Sequence, residues 1–301
     1  MPLKAYLQLV RLPNVFTAAA DSLAGWLLVT GSFDQPNRWL PLVGASMAIY
    51  AAGIALNDLF DLDIDRVERP NRPLPSARVS PRFAAGLGVG LLVMGLALAS
   101  LGGAMAATWG SAAVSAVLIA CVVGYDSGLK RTPIGPLIMG SCRGLNVLLG
   151  MSQAPNLGGP TGWMIVGAMT LFVAGVTCVS RTETRAGESA GLVLGGLLEN
   201  IALAGLIVVA VRPSGWESES STPVAGLLIL IVLGLVLNRA NLQAWRTPVP
   251  GTLQRAVKTG ILSLIWLNVG IVAAARGLPM SLAIAFLWLP AYLLGKRLYS
   301  T

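Results

Sequence analysis

The chain of 301 residues is 55% hydrophobic and 11% charged, carries a formal net charge of +8 and contains no histidine. Such a composition excludes an ordinary soluble domain, and the missing histidine excludes Ser-His-Asp hydrolysis, histidine-ligated haem and HExxH metalloprotease chemistry. No compact basic region with aromatic platforms accompanies the positive charge, so nucleic acid is not expected as a partner.

Crossing a bilayer takes roughly 20 apolar helical residues. Such runs are read, in chain order, at about 14–31, 38–57, 83–102, 104–125, 133–152, 161–179, 190–211, 223–239, 257–275 and 280–296. They predict an all-α, polytopic membrane protein with nine or ten transmembrane helices, residues 1–301 forming one domain. The first run carries Asn14 and Asp21 and is followed by many more, which reads as a retained helix rather than a cleaved signal. Seventeen of the 21 lysines and arginines fall on the side that holds the N-terminus. The positive-inside bias therefore places that end and the segment after the second helix in the cytoplasm of a cell membrane, facing anionic lipid headgroups. Cys121, Cys142 and Cys178 show no CxxC spacing and read as packing residues, so any metal must be a hard, oxygen-bound one.

The second run leads into "NDLFDLDIDRVERPNRPLPS", residues 57–76. If the helix continues toward Pro70, Asn57, Asp61 and Asp65 share one face at i, i+4 and i+8, with Asp58 beside them. Clustered carboxylates repel unless a cation lies between them, and oxygen-only donors suit Mg²⁺ or Ca²⁺. An EF-hand is excluded, because Arg66 stands where the loop needs glycine and Arg72 where it needs glutamate. The alternative is a solvated helix end whose aspartates pair with Arg66, Arg69 and Arg72. The proline-stiffened, arginine-rich tail suits a diphosphate beside the metal.

Further along, Tyr125 and Asp126 stand at the same end and are candidates to deprotonate an acceptor. Arg143, with Asn146, lies inside the fifth run, positioned to reach a diphosphate or to pair with Asp21. Ionisable groups at membrane depth are expected to line a cavity. Glu199, Asn200 and Asn268 read as interhelical hydrogen-bonding residues, and the polar stretches 212–224 and 239–255 as loops.

The Asp-rich segment, with "RLPNVFTAAADSLAG" in the first helix and "YDSGLKRTPIGPL" after the fourth, resembles the UbiA-type intramembrane prenyltransferases over most of the chain. Within them it is similar to the UbiA-like branch encoded in Ebo-type operons. The resemblance implies an all-helical fold around a central cavity that binds an isoprenyl diphosphate through Mg²⁺ and passes the prenyl group to a hydrophobic or aromatic acceptor. Carried over by position, Asn57, Asp61 and Asp65 hold Mg²⁺, Asp58 joins the catalytic set, and Arg72, Lys130 and Arg131 grip the diphosphate. One part of the pattern is broken. Where the family has a second acidic motif, "VTCVSRTETRAGESAG" puts Arg181 and Arg185 on the two aspartate positions. Glu183 and Glu188, about 140° apart around a helix, are poorly placed to share an ion. Arg181 and Arg185 share a face, as direct phosphate contacts or as cytoplasmic loop charge. A terpene cyclase of the same fold and a non-catalytic prenyl-lipid or metabolite carrier are the alternatives to transfer.

Overall fold

The computed structural model describes residues 2–182, 189–212 and 223–298, and among these there is no strand. The helices are α1 (Pro2–Leu9), α2 (Leu12–Thr30), α3 (Pro36–Phe60), α4 (Leu62–Glu68), α5 (Pro81–Met105), α6 (Gly110–Ser127) and α7 (Gly135–Met151), then α8 (Gly159–Arg181), α9 (Ser189–Val211), α10 (Val224–Arg246), α11 (Pro250–Arg276), α12 (Leu278–Phe286) and α13 (Trp288–Leu298). Prolines open several of them, where the missing amide hydrogen costs nothing. At α5 the Ser80 hydroxyl also accepts from Phe83 N.

Nine spans among the described residues are long and apolar enough to cross a membrane, with α12 and α13 counted as one. The shorter α7 is the tenth. Gly140 and Gly144 of α7 meet Thr170 and Val166 of α8 in antiparallel order. Arg181, ending α8, donates to the Lys130 and Thr132 carbonyls just before α7. The two helices therefore run the same depth in opposite directions.

Small residues set the spacing between helices. Gly88, Gly95 and Gly102, seven apart on α5, receive Leu56, Ile49 and Leu42, seven apart on α3. A side chain at any of them would meet its partner, so the seam requires glycine. Between α2 and α7, Gly25 sits on the Val147 carbonyl and Gly150 on that of Ser22. The main core joins α2, α7, α8 and α11 around Trp26, Phe172 and Met169. By contrast α5, α6, α10 and α12–α13 turn most of their apolar surface outward, as helices facing lipid do.

Four boundaries differ from the sequence reading. α11 starts at Pro250 and α10 runs to Arg246, because Ala244, Leu253 and Ala256 pack with Val179 and Leu192 beyond the apolar runs. The last span divides at Leu287, where Pro290 cannot supply the amide that would continue the ladder. The Asp-rich helix is interrupted too: α3 ends at Phe60 and Asp61 takes φ −95, ψ 6 before α4 resumes. The bonds Asp61 N to Asn57 O and Asp65 N to Asp61 O persist at 3.0 and 2.8 Å, so the break is a bend rather than a gap.

Candidate active site

A cavity of about 430 Å³ opens at the end of the bundle that carries the Asp-rich segment. Its apolar walls include Ile49, Leu118, Val122, Val173 and Ile261, contributed by α3, α6, α8 and α11. Charged and amide groups occupy its mouth and, at a second level, its depth.

At the mouth, the bend at Asp61 separates the residues expected to share a face. Asn57 and Asp61 line the cavity; Asp58 and Asp65 do not. Asp65, 2% exposed, lies 2.6 Å from Arg72 Nη1. Asp58 receives Arg11 at 3.0 Å and Arg72 at 3.3 Å. The continuous Asn57–Asp61–Asp65 face is thus corrected, since Asp65 has turned away to neutralise the proline-rich tail. Of the three arginines expected to pair with this cluster, Arg66 takes the outlying Asp63 at 2.7 Å, Arg72 takes two aspartates, and Arg69 lines the cavity.

From the opposite wall, Lys130 Nζ stands 2.7 Å from Asp61 Oδ2, and Arg131 is 3.9 Å from Oδ1. The Lys130 ammonium is buried against that carboxylate. An ammonium carries three donors, so the Asp61 contact leaves N–H groups for a further acceptor. Asn57 Nδ2 donates to Asp126 Oδ1 at 2.9 Å, which fixes the amide and turns its oxygen from that bond. Arg181 donates to the Lys130 and Thr132 carbonyls and so braces the loop that presents Lys130. Arg185 and Glu183 lie outside the described residues.

Asn57 and Asp61 therefore offer hard oxygen donors to the cavity. That set suits a magnesium ion completing its shell with phosphate oxygens and water. Asp58 and Asp65 are committed to arginines, and no group of three or more Asp, Glu, Cys or His side chains converges among the described residues.

Arg143 lies apart from this cluster, eight residues and about 12 Å along α7 from its start. It donates to Asp21 Oδ2 at 2.8 Å and Thr17 Oγ1 at 2.6 Å, and lies 4.5 Å above the Tyr50 ring. Asn268 Nδ2 donates to Asp21 Oδ1 at 2.8 Å. Of the two options open to Arg143, this geometry takes pairing with Asp21. Elsewhere Asn241 donates to the buried Glu199 at 2.7 Å, and Asn200 and Asn238 exchange amide bonds, tying α9 to α10. Two contributors were missed by the sequence reading. Arg11 is one, and its signal was the single arginine before "LPN"; the bracing function of Arg181 had none, because it depends on where two helix ends meet.

The profile of the UbiA prenyltransferase family matches residues 18–248. The chain belongs to the UbiA prenyltransferase family. Its curated relatives include digeranylgeranylglyceryl phosphate synthase of Methanopyrus kandleri, 35% identical over 158 residues, which is 51% of this chain and 56% of that one. The enzyme of the same name from Methanothrix thermoacetophila is 43% identical over 96 residues, 32% and 36% of the two chains. The matches thus span from about a third to just over half of the relatives' own length. Among solved structures, one described as digeranylgeranylglyceryl phosphate synthase in membranes superposes with a TM-score of 0.67 at 20% identity, over 91% of this chain and 99% of that one. An apo UbiA homologue from Aeropyrum pernix K1 gives 0.65 at 20% identity, over 86% and 97%. At that identity the likeness is one of fold. It agrees with the all-helical bundle described above.

Proposed function

We propose that this UbiA protein, acting as a single domain over residues 1–301, transfers an isoprenyl group from an isoprenyl diphosphate to an acceptor held in the membrane. The observation that carries the reading is the mouth of the cavity, where Lys130, Arg69 and Arg72 stand beside Asn57 and Asp61. Arginine and lysine donors at this point neutralise the departing diphosphate as the C1–O bond breaks and its electron pair leaves with the phosphate. Magnesium bound by Asn57 and Asp61 would add to that neutralisation. The acceptor's nucleophilic atom bonds to prenyl C1 and releases a proton, for which Asp126 keeps Oδ2 while Oδ1 is taken by Asn57. Apolar walls hold the prenyl chain and exclude the water that would quench the allylic cation. Arg181, standing where the family has an acid, serves by bracing the Lys130 loop. The basic end that carries these residues faces the cytoplasm, in contact with anionic lipids.

Pyrophosphate release from C10 to C20 prenyl diphosphates, with aromatic and lipid acceptor extracts, tests the reading in detergent-purified protein. Release that requires Mg²⁺ and vanishes in Asp61→Asn supports ionisation chemistry, and product mass separates transfer from cyclisation. Prenyl diphosphate binding without release under any acceptor would instead make the chain a carrier.

A further inference from the structure

Below the mouth, the cavity meets a polar level that prenyl transfer as described does not use. Arg143, Tyr50 and Asn146 all line it. The Arg143 guanidinium spends one Nη1 bond on Asp21 and one Nη2 bond on Thr17 and keeps further N–H groups, with its central carbon 4.5 Å from the Tyr50 ring. Asn146 meets Ser46 Oγ at 2.7 Å through one end of its amide. Because Ser46 has one proton and also reaches the Ala18 carbonyl at 2.8 Å, the amide is held on one side only. Its other end and the Tyr50 hydroxyl have no protein partner, and neither is among the fully enclosed, unsatisfied atoms. Both therefore open on the cavity.

The charge at this level is already balanced. Asp21 is 0% exposed and lies 2.8 Å from Arg143, which is 5% exposed. An anionic ligand group here would be left as an uncompensated charge in a low-dielectric chamber, whereas a neutral hydroxyl or carbonyl would gain hydrogen bonds. Tyr50 stands seven residues, about 10 Å along α3, from Asn57 at the mouth. A one- or two-ring molecule spans that interval if it has its nucleophilic atom at one end and an oxygen at the other.

We propose that Arg143, Tyr50 and Asn146 form the head-group subsite of the prenyl acceptor, selecting an acceptor whose remote group is an uncharged hydroxyl or carbonyl and rejecting a carboxylate or phosphate. The inference rests on the prenyl-transfer reading for the word acceptor, and on the paired charges for the selectivity. Asp21 acts as a positioning residue that sets the net charge Arg143 presents.

Two probes of matched size and opposite character test it, 4-hydroxyacetophenone and 4-hydroxybenzoate, whose binding to full-length protein in detergent is measured by equilibrium dialysis. The wild type is expected to bind the neutral probe at least about tenfold more tightly, the scale of a hydrogen-bonded group against a desolvated unpaired one. Asn146→Leu, which keeps side-chain volume, weakens the neutral probe by about fivefold, the worth of one hydrogen bond. Asp21→Asn uncovers the Arg143 charge and shifts the preference toward 4-hydroxybenzoate by about tenfold or more. Preference for the carboxylate in the wild type overturns the subsite, as does indifference of both probes to Asn146→Leu. Pyrophosphate release is followed in the same wild-type preparation. Release accompanied by reversed probe preference sinks the subsite alone, while intact preference with no release from any prenyl diphosphate sinks the transferase reading and leaves the site as one for a neutral ligand.

Discussion

The mouth and the depth of this one cavity use the same ingredients, aspartates against arginine or lysine, in opposite ways. At the mouth the pairs are shared and partly wet: Arg72 serves both Asp58 and Asp65, and Asp61, with its side chain 22% exposed, divides itself between Lys130 and Arg131. In the depth, Asp21 and Arg143 form one closed pair with dedicated supports from Thr17 and Asn268. Shared pairs near water can be exchanged for a ligand at little cost, whereas opening an enclosed pair strands a charge. The difference separates the two levels by depth: exchangeable charge at the mouth, where the proposed diphosphate would bind, and fixed charge below it.

The largest expected effect comes from breaking the deep pair. Arg143→Met leaves Asp21 buried without its cation and should lower stability by about 3–5 kcal/mol, read as a fall in thermal midpoint in detergent; the double variant Arg143→Met/Asp21→Leu should recover most of it. At the mouth the stability and activity effects should separate. Asp61→Asn is expected to reduce pyrophosphate release by about a hundredfold or more while moving the midpoint little. An equal midpoint loss in both variants would erase the contrast between the two levels. A smaller effect belongs to Arg181→Ala, where the loosened Lys130 loop should cost about tenfold in release through lost positioning and should speed hydrogen exchange across 129–134. Unchanged exchange there would remove its bracing role. Smallest of all, Asp63→Ala breaks only an exposed pair with Arg66 and should alter neither the midpoint nor release beyond measurement scatter.

Much of this protein was legible before its fold. Long apolar runs cannot avoid crossing a membrane as helices, because lipid offers the backbone no hydrogen-bond partners. The N-D-x-x-D-x-x-x-D spacing with its basic tail, and the K-R loop after the fourth span, marked the residues that gather at the mouth. Legibility failed where local pattern and tertiary demand diverge. A helical wheel puts Asp65 beside Asn57 and Asp61, yet beyond the bend at Asp61 its carboxylate is buried against Arg72 and does not line the cavity. Arg181, which read equally as a phosphate contact or as loop charge, also donates to two backbone carbonyls that no local pattern announces.

The sequence by itself determined the all-helical membrane class and the charged groups gathered at one end of the bundle, since each depends on composition and on spacing along the chain. Only the tertiary structure decided which charges face the cavity and which neutralise one another. Ion pairing inside a bilayer depends on distance in space and on the dielectric around each pair, and the partners Asp21 and Arg143 are 122 residues apart in the chain.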